Sequence, residues 1–426
     1  MLSIPRRAAE TSATAGDGMA QGAGESPHGR DLRTSAGTHP GESGGHVLDL
    51  PPDRTAPGTP AAQQGGTPDD LRDVAALAHR VEATMGHVER VLHAAVAERV
   101  ARAGVVSPVH GDLWADTAAI VGGKLMRPRL TVTAYLGLGG ADVDAVAPVA
   151  AAQEVLHTAM LVHDDLLDHD EVRRGRPNVA GATRARRAAG GVHGRALDDQ
   201  AAAAAVLAGD AAIAESFRLI TASTAPAATR VELVSMLAAG IETTVAGELL
   251  DVTAELLPPA DVDPLLVAEL KTAAYSFRIP LECGAVLAGA RPELRTALAL
   301  IGTALGLSYQ LTDDDLGVFG DPQATGKSVL SDLRAGKRTE LLRLGLARAD
   351  AAGRAVLDRH VGRPDLDEDG AREVRAVLRD SGALDEVRAL TRRTAHVART
   401  LATTTLPGPL AGYLAGVVDD LVGRGH

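Results

Sequence analysis

The chain has 426 residues, of which 45% are apolar but only 2% aromatic, and a net charge of −12. That length admits one large domain or two or three smaller ones, and a core of Ala, Leu and Val favours helices over sheets. The negative charge argues against nucleic acid as a partner, and the lone Cys283 excludes an internal disulfide framework.

Residues 1–66 are rich in Gly, Pro, Ser, Thr and Ala without a sustained apolar period, which predicts a disordered extension. They show no apolar signal core, and no run of 18 or more apolar residues follows, so the reading is a soluble, cytoplasmic protein without stable membrane insertion. Helical spacing begins near Pro68 and continues through Leu71, Val74, Leu77, Val81, Met85, Val88, Val91 and Leu92. A break over 104–112 leads to a second helical region around Trp114. Beyond it lies Gly122-Gly123-Lys124-Leu125-Met126-Arg127-Pro128, where glycines admit close backbone approach and Lys124 and Arg127 can point one way. By itself this is a weak anion site.

A helix predicted over about 143–162 ends in HTAMLVHDDLLDHDEVRRGRPN. In a helix Asp164 and Asp168 stack one turn apart with Asp165 beside them. Three carboxylates that close repel one another unless a cation sits among them, and their oxygens suit Mg²⁺ bridged to substrate phosphates. Arg173 and Arg174, just beyond, suit phosphate as well. His157 lies two turns before Asp164 on the same face.

Residues 180–200 read as a mobile Gly/Arg/Ala-rich loop. Helices are expected again from Ala201, over about 229–257 with Gly247-Glu248 and Asp251, and from Pro264 with Lys271-Thr272 and Tyr275. GLSYQLTDDDLGVFGDPQATGKSVLSDLRAGKRTELL, residues 306–342, then places Gln310, Asp313 and Asp314 on one helix face, with Gly326-Lys327 and Gly336-Lys337 after it. The rest is amphipathic helix broken at 362–364 and 407–409. No convincing period-2 run occurs, so the fold class is all-α. Of the 43 basic residues only four are lysines, Lys124, Lys271, Lys327 and Lys337, and each sits in one of these motifs. A lysine kept in a chain that otherwise uses arginine is a candidate for a task needing a compact ammonium.

Two acidic clusters, each followed by basic groups, imply a helical cavity with carboxylates on opposing walls, holding several Mg²⁺ ions around a diphosphate. Such walls stabilise a departing diphosphate, and Ala, Leu and Val below them would accept an apolar tail. The TGKS at 325–328 lacks the first glycine and the preceding strand of a phosphate-binding loop.

In combination, GGKLMRP, HTAMLVHDDLLDHDEVRRGRPN, the GD of LAGD, GELLD, KTAAY and QLTDDDLGVFGD with its TGK and AGK resemble the trans-isoprenyl diphosphate synthases, or polyprenyl synthetases, over roughly residues 80–420. The resemblance implies a large helical bundle with a central cavity over 67–426, a homodimer, and head-to-tail condensation of isopentenyl diphosphate with an allylic diphosphate. It also implies Mg²⁺, as a cluster of three ions per site. Asp164, Asp165 and Asp168 are similar to the first aspartate-rich motif and Asp313 and Asp314 to the second, all of them metal ligands. Asp164, Asp165, Asp168, Lys271 and Asp313 are the implied catalytic set. Lys124, Arg127, His157 and Arg174 resemble the isopentenyl diphosphate pocket. Arg173, Lys271, Thr272, Gln310, Lys327 and Lys337 resemble the groups that hold the allylic diphosphate.

The second motif departs from the usual DDxxD, because Gly317 replaces its last aspartate. Asp315 is out of phase, and Asp321 could substitute only through a loop. Two other functions stay open: a class I terpene cyclase, whose usual Asn-containing metal motif this chain could not build with Asn178 as its only asparagine, and a non-catalytic subunit of a prenyl synthase. Leu156, Ala159 and Met160 lie on the wall below Asp164. None is aromatic, so the tail path is not closed at its top, and flexible Met160 narrows it toward a product of about twenty carbons, with longer chains as the alternative.

Overall fold

Short polar caps and glycine breaks divide the apolar sequence into helices. The computed structural model describes residues 68–321 and 329–423, so the expected extension over 1–66 and Lys327 lie outside the described residues. Helix α1 (Pro68–Val106) buries Leu77, Val81, Met85, Val88 and Leu92 along one face, as their spacing requires. Ser107 caps α2 (Pro108–Ile120), its hydroxyl accepting from the His110 N–H at 3.1 Å. The expected break over 104–112 is thereby reduced to one residue.

Helix α3 (Met126–Gly137) follows the Gly122–Leu125 turn. Helix α4 (Val143–Leu167) starts from Asp142, whose carboxylate accepts from the Asp144 and Ala145 N–H groups. It is apolar nearly all round and forms the central core helix, with Val149, Ala151 and Ala152 wholly enclosed. A hairpin of β1 (Val172–Arg173) and β2 (Arg176–Pro177) follows. Its turn, Arg174 and Gly175, has φ of 52° and 72°, the paired positive values that suit a two-residue hairpin.

The expected loop over 180–200 is instead helical: α5 (Val179–Ala189) and the start of α6 (Arg195–Ala222). Asn178 caps α5, accepting from the Gly181 N–H at 2.9 Å, and Ala and Arg are strong helix formers. Glycine punctuation at 190, 191 and 194 confines the turn to a few residues.

Helix α7 (Ala227–Ala254) is followed by α8 (Pro264–Val267), which runs without a break through a π-helical stretch (Ala268–Arg278) into α9 (Ile279–Leu287). Then come α10 (Pro292–Phe319), α11 (Ser331–Ala335), α12 (Glu340–Arg348), α13 (Ala351–His360), α14 (Glu368–Asp380), α15 (Ala383–Thr405) and α16 (Gly408–Gly423). The C-terminal third thus has more breaks than its amphipathic pattern suggests, one of them at Gly382, where φ is 73°.

The wide π stretch needs room, and glycines on both neighbours provide it. A Cβ at Gly247 of α7 would lie 2.8 Å from the Leu270 carbonyl carbon, and one at Gly302 of α10 would lie 2.6 Å from the Arg278 Cα. At Gly306 it would collide with the Ala273 backbone. Gly306→Ala is therefore expected to lower stability by about 1–3 kcal/mol, the usual cost of overpacking; urea denaturation measures it, and an unchanged midpoint would refute the close fit.

Helices α4 and α7 are each long and apolar enough, by length and composition, to cross a membrane, although polar residues interrupt the apolar run in both. Their surroundings differ. In α4 the apolar window is 78% buried, but in α7 only 28%. Val231, Val245, Leu249, Leu250 and Val252 of α7 lie exposed, with Val206 and Leu207 of α6.

Candidate active site

The last turn of α4 forms the first acidic wall. Asp164 and Asp168 share a face, and Asp168 closes the helix with its N–H on the Asp164 carbonyl at 2.8 Å. Asp165 turns away and is buried. Arg173, placed by the hairpin, grips it with Nε at 2.8 and 3.0 Å from the two carboxylate oxygens and with Nη2 as well. The same guanidinium reaches Asp164 at 3.6 Å. Burial raises the pKa of Asp165 against the opposing pull of Arg173, and burial together with Asp164 raises that of Asp168. Asp164 and Asp168 thus share the face that Asp165 leaves.

The π stretch carries the next groups. Lys271 Nζ lies 3.2 Å from Asp164, 3.0 Å from Glu248 and 2.7 Å from Asp251. Burial works against its charge, but Asp164, Asp251 and Glu248 outweigh that and keep the ammonium charged well beyond its ordinary range. Its neighbour Thr272 donates to Gln310 Oε1 at 2.8 Å, and Gln310 Nε2 donates to Asp314 at 2.7 Å. Two adjacent residues therefore link the first acidic wall on α4 to the second on α10. Winding wider than an α-helix is common at functional sites, and here it sets Lys271 and Thr272 toward different helices.

On α10, Asp313 is exposed and Asp314 is partly covered. Burial, with Asp332 and Asp313 nearby, pushes the Asp314 pKa up to about 7 despite the Gln310 hydrogen bond. Asp315 points into the bundle and pairs with Arg388 of α15 at 2.7 Å, which bears out its being out of phase. Lys337, after α11, lies 3.8 Å from Asp332. Burial opposes its charge, while Asp332, Asp168 and Asp164 sustain it.

A second group gathers around Arg127, in the first turn of α3. Its Nη2 donates to Ser276 Oγ at 2.7 Å and to the Tyr275 hydroxyl at 3.2 Å, and the guanidinium lies over the Tyr275 ring, 4.8 Å from its centroid. His157 Nδ1 is 3.3 Å from the same hydroxyl. Burial, then Arg127, Arg173 and Arg174, holds the imidazole well below its ordinary pKa, so it is neutral at pH 7. Arg174 donates to the Gly122 carbonyl at 2.6 Å, fixing the turn on which exposed Lys124 sits. Gly122 and Gly123 have φ of 97° and 132°, and a side chain at 123 would meet the Arg174 guanidinium.

Several members of these groups are absent from the sequence-derived site. Glu154, only 2% exposed, is buried near Arg127 and Arg174; burial raises its pKa against their pull. Its spacing of three before His157 was a usable signal. Glu248, Asp251 and Tyr275 lie in motifs already visible in the sequence, but the partner each finds is long-range. Of the tail-wall residues, Leu156 and Ala159 are enclosed in the core and Met160 is partly exposed.

Among the described residues, no three acidic, histidine or cysteine side chains converge tightly enough to hold an ion unaided. Mg²⁺ is commonly bound by one or two carboxylates plus substrate phosphates. The hard oxygen donors of Asp164, Asp168 and Asp313 fit such an ion, and the nearby ammonium and guanidinium groups fit the phosphates that accompany it.

The polyprenyl synthetase family profile matches residues 114–378. A geranylfarnesyl diphosphate synthase of Aeropyrum pernix is 36% identical over 272 residues, 62% of this chain and 78% of that protein. A (2E,6E)-farnesyl diphosphate synthase of Mycobacterium tuberculosis is 36% identical over 238 residues, 55% of this chain and 60% of its own length. Among solved structures, the geranylgeranyl pyrophosphate synthase of Corynebacterium glutamicum, complexed with isoprenyl diphosphate and magnesium, superposes with a TM-score of 0.72 at 27% identity, covering 79% of this chain and 98% of that one. With two acidic walls, a lysine between them and an arginine pocket beside them, the chain belongs to the polyprenyl synthetase family and is a prenyltransferase of the all-α isoprenyl diphosphate synthase fold.

Proposed function

We propose that residues 67–426 condense isopentenyl diphosphate with an allylic diphosphate, head to tail, with residues 1–66 as an extension. The observation that carries this is the Lys271–Thr272 link, which sets one ammonium and one hydroxyl between two carboxylate walls. Mg²⁺ bound with the diphosphate supplies the charge that stabilises its departure. Asp164, Asp168 and Asp313 hold that charge in place, while Lys271 and Lys337 meet the remaining phosphate oxygens. Asp165 serves by fixing Arg173. Arg127, Arg174 and Lys124 take the isopentenyl diphosphate beside them, oriented by Glu154 and Tyr275. When the allylic C–O bond breaks, the isopentenyl double bond attacks the cation, a C–C bond forms, and a proton is lost to the departing pyrophosphate.

Incubating the purified protein with Mg²⁺, isopentenyl diphosphate and allylic primers of several lengths tests the reading. Elongated allylic diphosphate with stoichiometric pyrophosphate supports it. Cyclised hydrocarbon would indicate a terpene cyclase, and inactivity cured only by a second synthase would indicate a non-catalytic subunit.

Asp313→Asn is expected to cost far more turnover than Asp315→Asn, which should instead lower the melting temperature by releasing Arg388. Measuring kcat and thermal unfolding for both separates the roles; equal kinetic losses would overturn the assignment.

The apolar stripe of Val245, Leu249 and Val252 on α7, with Val206 and Leu207 on α6, supports a homodimer built on these two helices. Val245→Asp with Leu249→Asp is expected to yield monomer by light scattering. A wild-type protein monomeric at micromolar concentration, or one that partitions onto vesicles through this face, would refute it.

A further inference from the structure

Gly317 is one helical turn after Asp313 and on the same face of α10, where the usual motif carries its last aspartate. That place is not empty. A Cβ at Gly317 would run into Asp332 Oδ2 and lie 3.2 Å from the Asp332 Cγ. The carboxylate comes from α11, a separate element, and reaches back across the gap to fill the space a side chain at 317 would take. Its other oxygen is 3.8 Å from Lys337 Nζ, and Asp332, Asp168 and Asp164 together sustain the charge of that ammonium. Asp332 is only partly exposed, and Asp313 on its helix neighbour remains open.

We infer that Asp332 stands in for the missing carboxylate at position 317 and acts with Asp313 on the Mg²⁺ that accompanies the diphosphate. Glycine at 317 is then the complement of Asp332: it vacates the position that the α11 carboxylate occupies. This rests on the proposed function for the identity of the ion and the diphosphate.

Mg²⁺-dependent binding of inorganic pyrophosphate, followed by calorimetry, tests it without turnover. Wild-type protein that binds pyrophosphate only with Mg²⁺ bears out the site as a whole; failure there would overturn the proposed function itself. Asp332→Ala is expected to move the Mg²⁺ midpoint upward by about 10-fold or more, the scale of losing one metal-orienting partner. Adding Gly317→Asp to Asp332→Ala should return the midpoint toward wild type, because the carboxylate is restored from the other element. An unshifted midpoint in Asp332→Ala overturns the inference. So does a double variant that melts like wild type yet keeps the shifted midpoint. If the double variant does not fold, Asp332→Asn decides, since it keeps the shape without the charge: a shifted midpoint supports the inference and an unshifted one overturns it.

Discussion

Asp164→Ala should reduce turnover by roughly 10²–10³, on the scale of losing one preorganised electrostatic stabiliser. The residue has two tasks that one truncation removes together. It presents a carboxylate with Asp168 to the space where Mg²⁺ and diphosphate fit, and it is the α4 partner of Lys271 at 3.2 Å. Asp165 cannot take over, because Arg173 holds it on the buried side of the helix. Lys271 keeps Glu248 and Asp251, so the fold and its melting temperature should change little. Steady-state kinetics at saturating Mg²⁺, with a melting curve as control, gives the answer. Near-normal kcat would remove Asp164 from the site.

Met160→Phe should shorten the product, and Met160→Ala should lengthen it or leave it unchanged. Met160 lies one turn below Asp164 and is partly exposed, whereas Leu156 and Ala159 are already enclosed in the core. With the diphosphate anchored at the aspartates, an aromatic ring at 160 would close a path that a flexible thioether only narrows. On that ground we propose a wild-type product of about twenty carbons, with longer chains as the alternative. Chain-length analysis of extracted products decides the matter; an unaltered distribution from Phe at both 159 and 160 would show that the tail grows elsewhere.

Apolar period made most of the helices legible, because it repeats within a few positions, while the caps Ser107, Asp142 and Asp263 fix where three of them begin. The 180–200 segment misled for a related reason: its glycines suggest a loop, while the Ala-Arg runs between them are helical. Most of the candidate site residues could be found because acids and lysines cluster locally in sequence. Partner choice could not. Nothing near Asp165 in the chain distinguishes it from Asp164, and only the hairpin that turns Arg173 back onto α4 does so. Glu248 and Asp251 meet Lys271 across two helices, and Asp332 meets Gly317 across segments that share no pattern.

The wide turn of helix that carries Lys271, Thr272 and Tyr275 has a consequence for mutational scanning. It can keep its girth only while Gly247, Gly302 and Gly306 stay bare. A saturation library scored by product formation should therefore rank these three beside the aspartates in intolerance, although none has a group that could touch a substrate. Intolerant positions in such a map would trace the outline of the helix as much as the pocket, and only a companion screen for folded protein would tell the two apart.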